Sequence, residues 1–424
     1  MYEQALRRLY ELGPGRMVFG RDRLERVLAL AGNPERSCPV VLVGGTNGKG
    51  SLVCALSRAL STRWRTAAFV KPHLVSIRER WRIDDSDISE EQFSWAANAA
   101  CDLIEQSGEE ISFFEANVLL GALLFEREGC EIAIWEVGLG GTHDACNLLD
   151  PQVSVLTHVG LDHQAILGDT VELIAADKAG IARAGRPFIL GPCLAGNEEA
   201  YSRYEPVARM HAHAVEARYI PLPKEQQAAD LLPALMLAVN HELEVLGFGL
   251  DEEELFEAVR SMRHPGRLER RELHGHQVLL DSAHNADALQ MLAKHIAANY
   301  PGPLPFIFSC QATREPIEML EILRPVMASL TPVEIPVLRP CPVGRIADAA
   351  VQLGIPLSLP EGFELSQLPQ EYEVGHITEL DPPDNRTHWI ESVEHALKSA
   401  TAETPLAICG SIYSMGEILR VFEQ

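Results

Sequence analysis

Lys49 and Ser51 close the segment Val40-Val41-Leu42-Val43-Gly44-Gly45-Thr46-Asn47-Gly48-Lys49-Gly50-Ser51, an apolar strand followed by a glycine-rich turn, a lysine and a hydroxyl. That order suits phosphate. Glycines let successive backbone N–H groups point inward without Cβ clashes, the Lys49 ammonium can neutralise β- and γ-oxygens, and Ser51 at a helix start can ligate Mg²⁺. Gly45, Thr46, Asn47, Gly48, Lys49, Gly50 and Ser51 are therefore expected to bind ATP. A short glycine turn can also be only a turn, but here both flanking elements are present: Leu52, Val53, Leu56, Ala59 and Leu60 recur as one face of a helix.

Two further strand ends carry polar groups. Trp135-Glu136-Val137-Gly138-Leu139-Gly140-Gly141 is a strand entering a glycine turn with one carboxylate at its end, and ligands of open parallel sheets gather at such carboxyl ends. Glu136 is the expected metal ligand, against the alternative of a solvated strand-end glutamate. Val153-Ser154-Val155-Leu156-Thr157-His158-Val159-Gly160-Leu161-Asp162-His163 offers a carboxylate and imidazoles in the same setting. His163 is the candidate ligand, with Asp162 as a group that could fix its tautomer; a lone histidine is more often structural, the reading kept for His158, and it is the family resemblance given below that separates the two.

Strands expected near 40–43, 67–70, 131–137, 153–157 and 187–190, with helical stretches such as 114–126 and 170–183 between them, make an α/β fold with a largely parallel sheet. After a helical stretch over 228–262 the pattern restarts at Val278-Leu279-Leu280-Asp281, with a helix over 286–298 and strands at 306–308, 333–335 and 406–408. Two domains are expected, 1–274 and a smaller α/β (Rossmann-like) one over 275–424, joined near His264-Pro265-Gly266-Arg267. The stretches 331–342 and 368–387 read as surface connections.

Acidic residues outnumber basic ones, 60 to 36, so wrapping nucleic acid or adhering to an anionic membrane is not expected. The nine cysteines form no Cys-x-x-Cys pair and no even framework, which argues against zinc and structural disulfides. The chain opens on Met1-Tyr2-Glu3-Gln4-Ala5-Leu6-Arg7-Arg8, an amphipathic helix with no secretory apolar core behind it, so the cytoplasm is the expected location.

The loop Gly45-Thr46-Asn47-Gly48-Lys49-Gly50-Ser51 departs from the common P-loop spacing and resembles that of the Mur ligase superfamily, within it the folylpolyglutamate synthase and dihydrofolate synthase family. Phe19-Gly20-Arg21-Asp22-Arg23, Leu161-Asp162-His163, Asp177-Lys178-Ala179-Gly180-Ile181, Asp281-Ser282-Ala283-His284-Asn285 and Gly410-Ser411-Ile412-Tyr413 extend the likeness over most of the chain. The resemblance implies a Mur-ligase-like ATP-binding domain followed by a glutamate-ligase domain. It further implies metal binding by Ser51, Glu136 and His163, with catalysis by Lys49, Glu136, His163 and Lys178, and a Lys178 that can be carbamylated. Arg267 and Asp281 would contact ATP, Arg267 by reaching across a cleft, and His284 and Ser411 would hold the amino acid. Lys71, Pro72 and His73 occupy the family's pterin-side loop, and Arg82, with Arg78 and Arg80, reads either as a reader of an anionic substrate tail or as a solvated charge run.

The implied reaction is ATP-dependent addition of L-glutamate to dihydropteroate or a folate through an acyl phosphate, by a monomer needing only small-molecule partners. Several neighbours of the acyl substrate depart from the family pattern: Lys71 for serine, Thr142-His143 where an arginine is usual, Ala286 for proline, and Ser309 with Thr313-Arg314-Glu315. The acceptor therefore stays open between the two folate substrates and a different carboxylate. A non-catalytic nucleotide-binding homologue is the remaining alternative, and Lys49, Glu136 and His163, whose loss would mark one, are all present.

Overall fold

In the computed structural model the residues described are 1–13, 20–193, 197–223, 231–262, 264–334, 340–361, 386–401 and 403–422. Phe19, Ile335 and nearly all of the expected connection 368–387 lie outside them. Two compact units emerge, one of residues 1–71 with 78–263, the other of 72–77 with 264–424.

The first unit is built on eight strands: β1 (Val40–Gly44), β2 (Thr66–Phe69), β3 (Trp81–Ile83), β4 (Ser86–Asp87), β5 (Ile132–Glu136), β6 (Val153–Leu156), β7 (Pro187–Leu190) and β8 (Arg218–Pro221). Their order is β4-β3-β2-β5-β1-β6-β7-β8. The neighbours β2-β5-β1-β6-β7-β8 all pair parallel, while at one edge β3 runs antiparallel to both β2 and β4. β1 is buried along its whole length because helices cover both faces, which is why Val40-Val41-Leu42-Val43 reads as a continuous apolar run. Since the chain fills the β2 side of β1 before the β6 side, the order of crossovers reverses around β1. That is where open α/β sheets bind ligands.

On one face of this sheet the helices Lys49–Leu60, Leu231–Glu244 and Glu252–Ser261 enclose Val41, Val43, Leu52, Leu56, Ile134, Val155 and Met236. The 228–262 stretch expected as helical divides in two, with Gly247 at positive φ in the turn between them. An aromatic group of Phe69, Trp81, Phe93, Phe125 and Trp135 is also fully buried, packed as linked ring pairs such as Phe69–Trp135 at 5.1 Å. Gly121, in the helix Phe113–Arg127, leaves room for both tryptophans: a Cβ there would stand 2.7 Å from Trp135.

The second unit has its own sheet: β9 (Glu269–Leu273), β10 (His276–Leu280), β11 (Leu304–Phe308), β12 (Met327–Pro332) and β13 (Leu406–Cys409), ordered β12-β11-β13-β10-β9. The expected boundary at 274/275 needs correction to 263/264. β9 pairs antiparallel with β10 across that point, so the boundary would have split a hairpin. The strand expected at 333–335 is likewise displaced, to β12, where Phe308 pairs with Pro332. No helix among the described residues is long and apolar enough to cross a membrane.

Candidate active site

β1, β5 and β6 end side by side, and their exits carry the expected phosphate and metal residues of the first unit. Val43 lies beside Glu136 and Gly44 beside Leu156, so the Gly45–Gly48 turn, Glu136 and Thr157 leave the sheet at one edge. Gly45 has φ +137, and a Cβ on it would run into the Thr157 hydroxyl. Gly48, at φ +86, then caps the helix Lys49–Leu60, whose first turn holds Lys49 and Ser51. These two glycines permit a left-handed turn that a side chain would strain.

The turn is held from β6. Thr157 Oγ1 donates to the carbonyls of Gly44 at 3.1 Å and Asn47 at 2.7 Å. Thr46 donates its N–H to the His158 carbonyl and exchanges hydroxyl hydrogen bonds with Gly160, donating to its carbonyl at 3.2 Å and accepting its N–H at 3.0 Å. Sequence reasoning assigned Thr157 no part; its signal was a lone hydroxyl directly after a buried strand. His158 is buried beside Tyr204, in keeping with a structural histidine.

Two lysines meet under the turn. Lys49 Nζ donates to the carbonyls of Gly45 and Thr46, both at 2.9 Å, and Lys178 Nζ donates to Gly45 O at 3.0 Å. Lys178, 4% exposed, ends the helix Val171–Lys178. Burial pushes the Lys49 ammonium down to about 7, with Glu136 opposing that shift and Lys178 and Lys71 adding to it. Burial also pushes Lys178 down to about 8, opposed by Asp162. Partly or fully buried lysines that donate to main-chain carbonyls of a glycine turn are suited to an incoming polyanion.

Glu136 is 4% exposed, and its Oε2 accepts the backbone N–H of Lys71 at 3.1 Å. His163 caps the short helix Gln164–Leu167 at φ +52, its side chain 46% exposed. Asp162 accepts the His163 backbone N–H at 2.9 Å, which orders the loop, and its carboxylate stands 3.9 Å from the ring Nε2. Thr142 donates both N–H and hydroxyl to Asp177 O, docking the 140–142 turn on the end of the Lys178 helix, and His143 is exposed. Among the described residues no group of three or more His, Cys, Asp or Glu side chains is clustered for a metal. The hard oxygens of Ser51 and buried Glu136 fit a cation that completes its shell with phosphate oxygens.

The residues expected to face the acyl substrate do not share one unit. Lys71 stands beside Glu136 in the first, while Pro72 and His73 belong to the second, where the neighbouring Leu74 carbonyl fills the space a Gly416 side chain would take. Arg82, expected at the acyl substrate, is held within its own hairpin. It donates to the Asp85 carbonyl at 2.6 Å and pairs with the carboxylates of Asp85 at 3.3 Å and Asp87 at 3.5 Å, so it locks the β3–β4 hairpin. Arg80 is buried with its guanidinium 5.5 Å from the Phe113 ring centre, and Arg78 donates to Ile88 O at 3.1 Å.

In the second unit, Asp281 follows β10 and its carboxylate accepts the N–H groups of Leu268 and Ala283, both at 2.9 Å. Burial raises the Asp281 carboxyl and Arg267 opposes the rise. His284 Nδ1 donates to Ser282 O at 2.7 Å, which makes Nδ1 the protonated nitrogen. Asn285 caps the helix Ala286–Asn299, and Ser411 Oγ accepts the Ser414 N–H at 3.4 Å ahead of the helix Ile412–Phe422. Gly410 N donates to Ala283 O at 3.0 Å, so two helix starts lie together at the ends of parallel β10 and β13. Paired helix N-termini favour a carboxylate.

No protein-family model matches the chain. Dihydrofolate synthase/folylpolyglutamate synthase of Bacillus subtilis (strain 168) is 30% identical over 316 residues, covering 66% of this chain and 73% of that protein. A probable bifunctional folylpolyglutamate synthase/dihydropteroate synthase of Haloferax volcanii is 30% identical over 368 residues, 78% of this chain, and the chain spans 43% of its length. The crystal structure of a bifunctional folylpolyglutamate synthase/dihydrofolate synthase with Mn, AMPPNP and L-glutamate bound matches with TM-score 0.77 and 21% identity, over 98% of this chain and 97% of that one. That likeness carries the fold, and the sequence relatives carry the family. The chain belongs to the folylpolyglutamate synthase/dihydrofolate synthase family.

Proposed function

We propose that this protein is an ATP-dependent ligase that adds L-glutamate to dihydropteroate, to a reduced folate, or to both, giving ADP and phosphate. The observation that carries the reading is the meeting of Lys49, Lys178 and Glu136 around a glycine turn, a half-buried and a buried lysine with one buried carboxylate. The acceptor carboxylate attacks the γ-phosphorus, and the amine of glutamate then displaces phosphate from the acyl phosphate. Such a reaction needs charge neutralisation and alignment and no covalent protein nucleophile.

In this reading Gly45, Thr46, Asn47, Gly48, Gly50 and Ser51 cradle the phosphates while Lys49 neutralises the charge that builds on the transferring group. Ser51, Glu136 and His163 would hold Mg²⁺, which supplies further neutralisation of phosphate oxygens when bound. Arg267 and Asp281 serve the nucleotide, His284 and Ser411 the amino acid, and Lys71, Pro72 and His73 the acyl substrate. Lys178, pushed down to about 8, has a readily available neutral amine, the form that adds CO₂ to give a carbamate and a proton. The reading places the enzyme in the cytoplasm as a monomer, a state that light scattering on the purified protein checks.

A different carboxylate as acceptor is the second reading, favoured by Lys71 at the Glu136 edge, where the family commonly has serine. Transfer of labelled L-glutamate, with ATP and Mg²⁺, onto dihydropteroate and separately onto tetrahydrofolate tests both. Product on either supports the first reading. No product on either, from folded protein that binds ATP, moves the assignment to the second.

A further inference from the structure

Eight of the nine cysteines are buried, yet two of them face each other. Cys310 lies just beyond the end of β11 and Cys341 just before the helix Val343–Gln352. Cys341 N–H donates to the Cys310 carbonyl at 2.9 Å, and the adjoining Gln311 and Pro340 form an antiparallel bridge. That pairing sets the two cysteines directly opposite one another, a register whose Cα separation lies within the range a disulfide spans. Their thiols hydrogen-bond each other, and the guanidinium of Arg345 acts on both while Arg314 acts on Cys310. Glu334 and Glu315 are the carboxylates that face Cys341.

Within the pair the two thiols are shifted in opposite directions. The hydrogen bond from Cys310 holds the Cys341 thiol below the ordinary range and Cys310 above it. Burial drives Cys54 and Cys101 up to about 11 and Cys130 to about 12, and raises Cys146 and Cys409 well above the ordinary value. Cys341 is therefore the more readily ionised thiol of the pair, and its resolving partner stands opposite it across the bridge.

We propose that Cys310 and Cys341 are a redox-active dithiol that small hydroperoxides convert to a reversible intramolecular disulfide. The Cys341 thiolate attacks the distal peroxide oxygen, giving a sulfenic acid and releasing the alcohol, or water from hydrogen peroxide. Cys310 then attacks that sulfur and expels water. The two sulfurs lose two electrons, the peroxide gains them, and both thiol protons leave in the products. A dithiol reductant reverses the step by exchange. Because Ser309 N–H donates to Cys409 O at 3.4 Å and β11 pairs with β13, the bond forms beside the strand that leads into Ser411.

The test uses the folded full-length protein treated with stoichiometric hydrogen peroxide, followed by alkylation of the remaining thiols, digestion and mass mapping. A linked peptide pair containing Cys310 and Cys341, lighter by two hydrogens and restored by dithiothreitol, is the expected result. Cys310→Ser should leave a Cys341 sulfenic acid that dimedone captures, and Cys341→Ser should slow loss of the first thiol by about tenfold or more. Full alkylation of Cys310 and Cys341 after peroxide treatment of wild-type protein, or first oxidation at any other cysteine, would overturn the proposal whatever the fate of the variants.

Discussion

Thr157 donates its hydroxyl to the Asn47 carbonyl at 2.7 Å, which ties the end of β6 to the middle of the glycine turn on β1. The same hydroxyl reaches Gly44 O at 3.1 Å, so one side chain sets both the entry and the crown of the turn. Thr157→Val removes both bonds from a buried site and should lower stability by about 1–3 kcal/mol while weakening ATP binding. Urea unfolding and titration calorimetry check the two effects separately, and unchanged nucleotide affinity would break the link between the hydroxyl and the site.

Burial lowers the Lys49 ammonium from 10.5 to about 7. The folded protein without nucleotide then binds fewer protons than the unfolded chain between those values, so its stability rises with pH across that window and carries the full burial penalty below it. Nucleotide phosphates favour the charged lysine, so ATP binding at about pH 8 should take up protons. Calorimetry in two buffers of different ionisation heat measures the uptake, which Lys49→Met should largely remove. Proton release in wild-type protein would contradict the charge state argued for this lysine.

Glu136→Gln keeps the size of the side chain and an acceptor for the Lys71 N–H while losing the charge. Ligation should fall by about a hundredfold or more with the thermal midpoint nearly unchanged. Near-wild-type turnover of this variant would remove Glu136 from the metal set.

Arg82→Ala should loosen the β3–β4 hairpin, costing about 1–3 kcal/mol, and leave the KM for the acceptor within about twofold of wild type. A large rise in that KM without loss of stability would restore the substrate role that its pairing with Asp85 and Asp87 argues against.

Gly121→Ala places a methyl group 2.7 Å from Trp135 and against Trp81. Overpacking of this kind should cost about 1–3 kcal/mol in denaturant unfolding, with no change in nucleotide affinity.

The edge of the first sheet that carries the site was legible because each of its strands is a buried apolar run that stops at a glycine or a polar residue. β1 and β5 show this directly in Val40–Gly44 and Ile132–Glu136. Edge strands were not legible: Arg-Tyr-Ile-Pro in β8 and Glu-Arg-Arg-Glu-Leu in β9 are only half-buried and mix charge with apolar residues, as edges tend to. Arg78, Arg80 and Arg82 alternate in sequence as a binding stripe would, and only the hairpin that brings Asp85 and Asp87 back to Arg82 separates the two meanings. Asp281 shows the same ambiguity from the other side, since a motif aspartate also pins the Leu268 turn.

The central claim is that ATP activates the acceptor carboxylate as an acyl phosphate, and oxygen-18 placed in that carboxylate follows it most directly. The account predicts that each turnover with ATP, L-glutamate and acceptor transfers one labelled oxygen to inorganic phosphate, with ADP as the nucleotide product. Unlabelled phosphate, or label recovered in AMP, would contradict it.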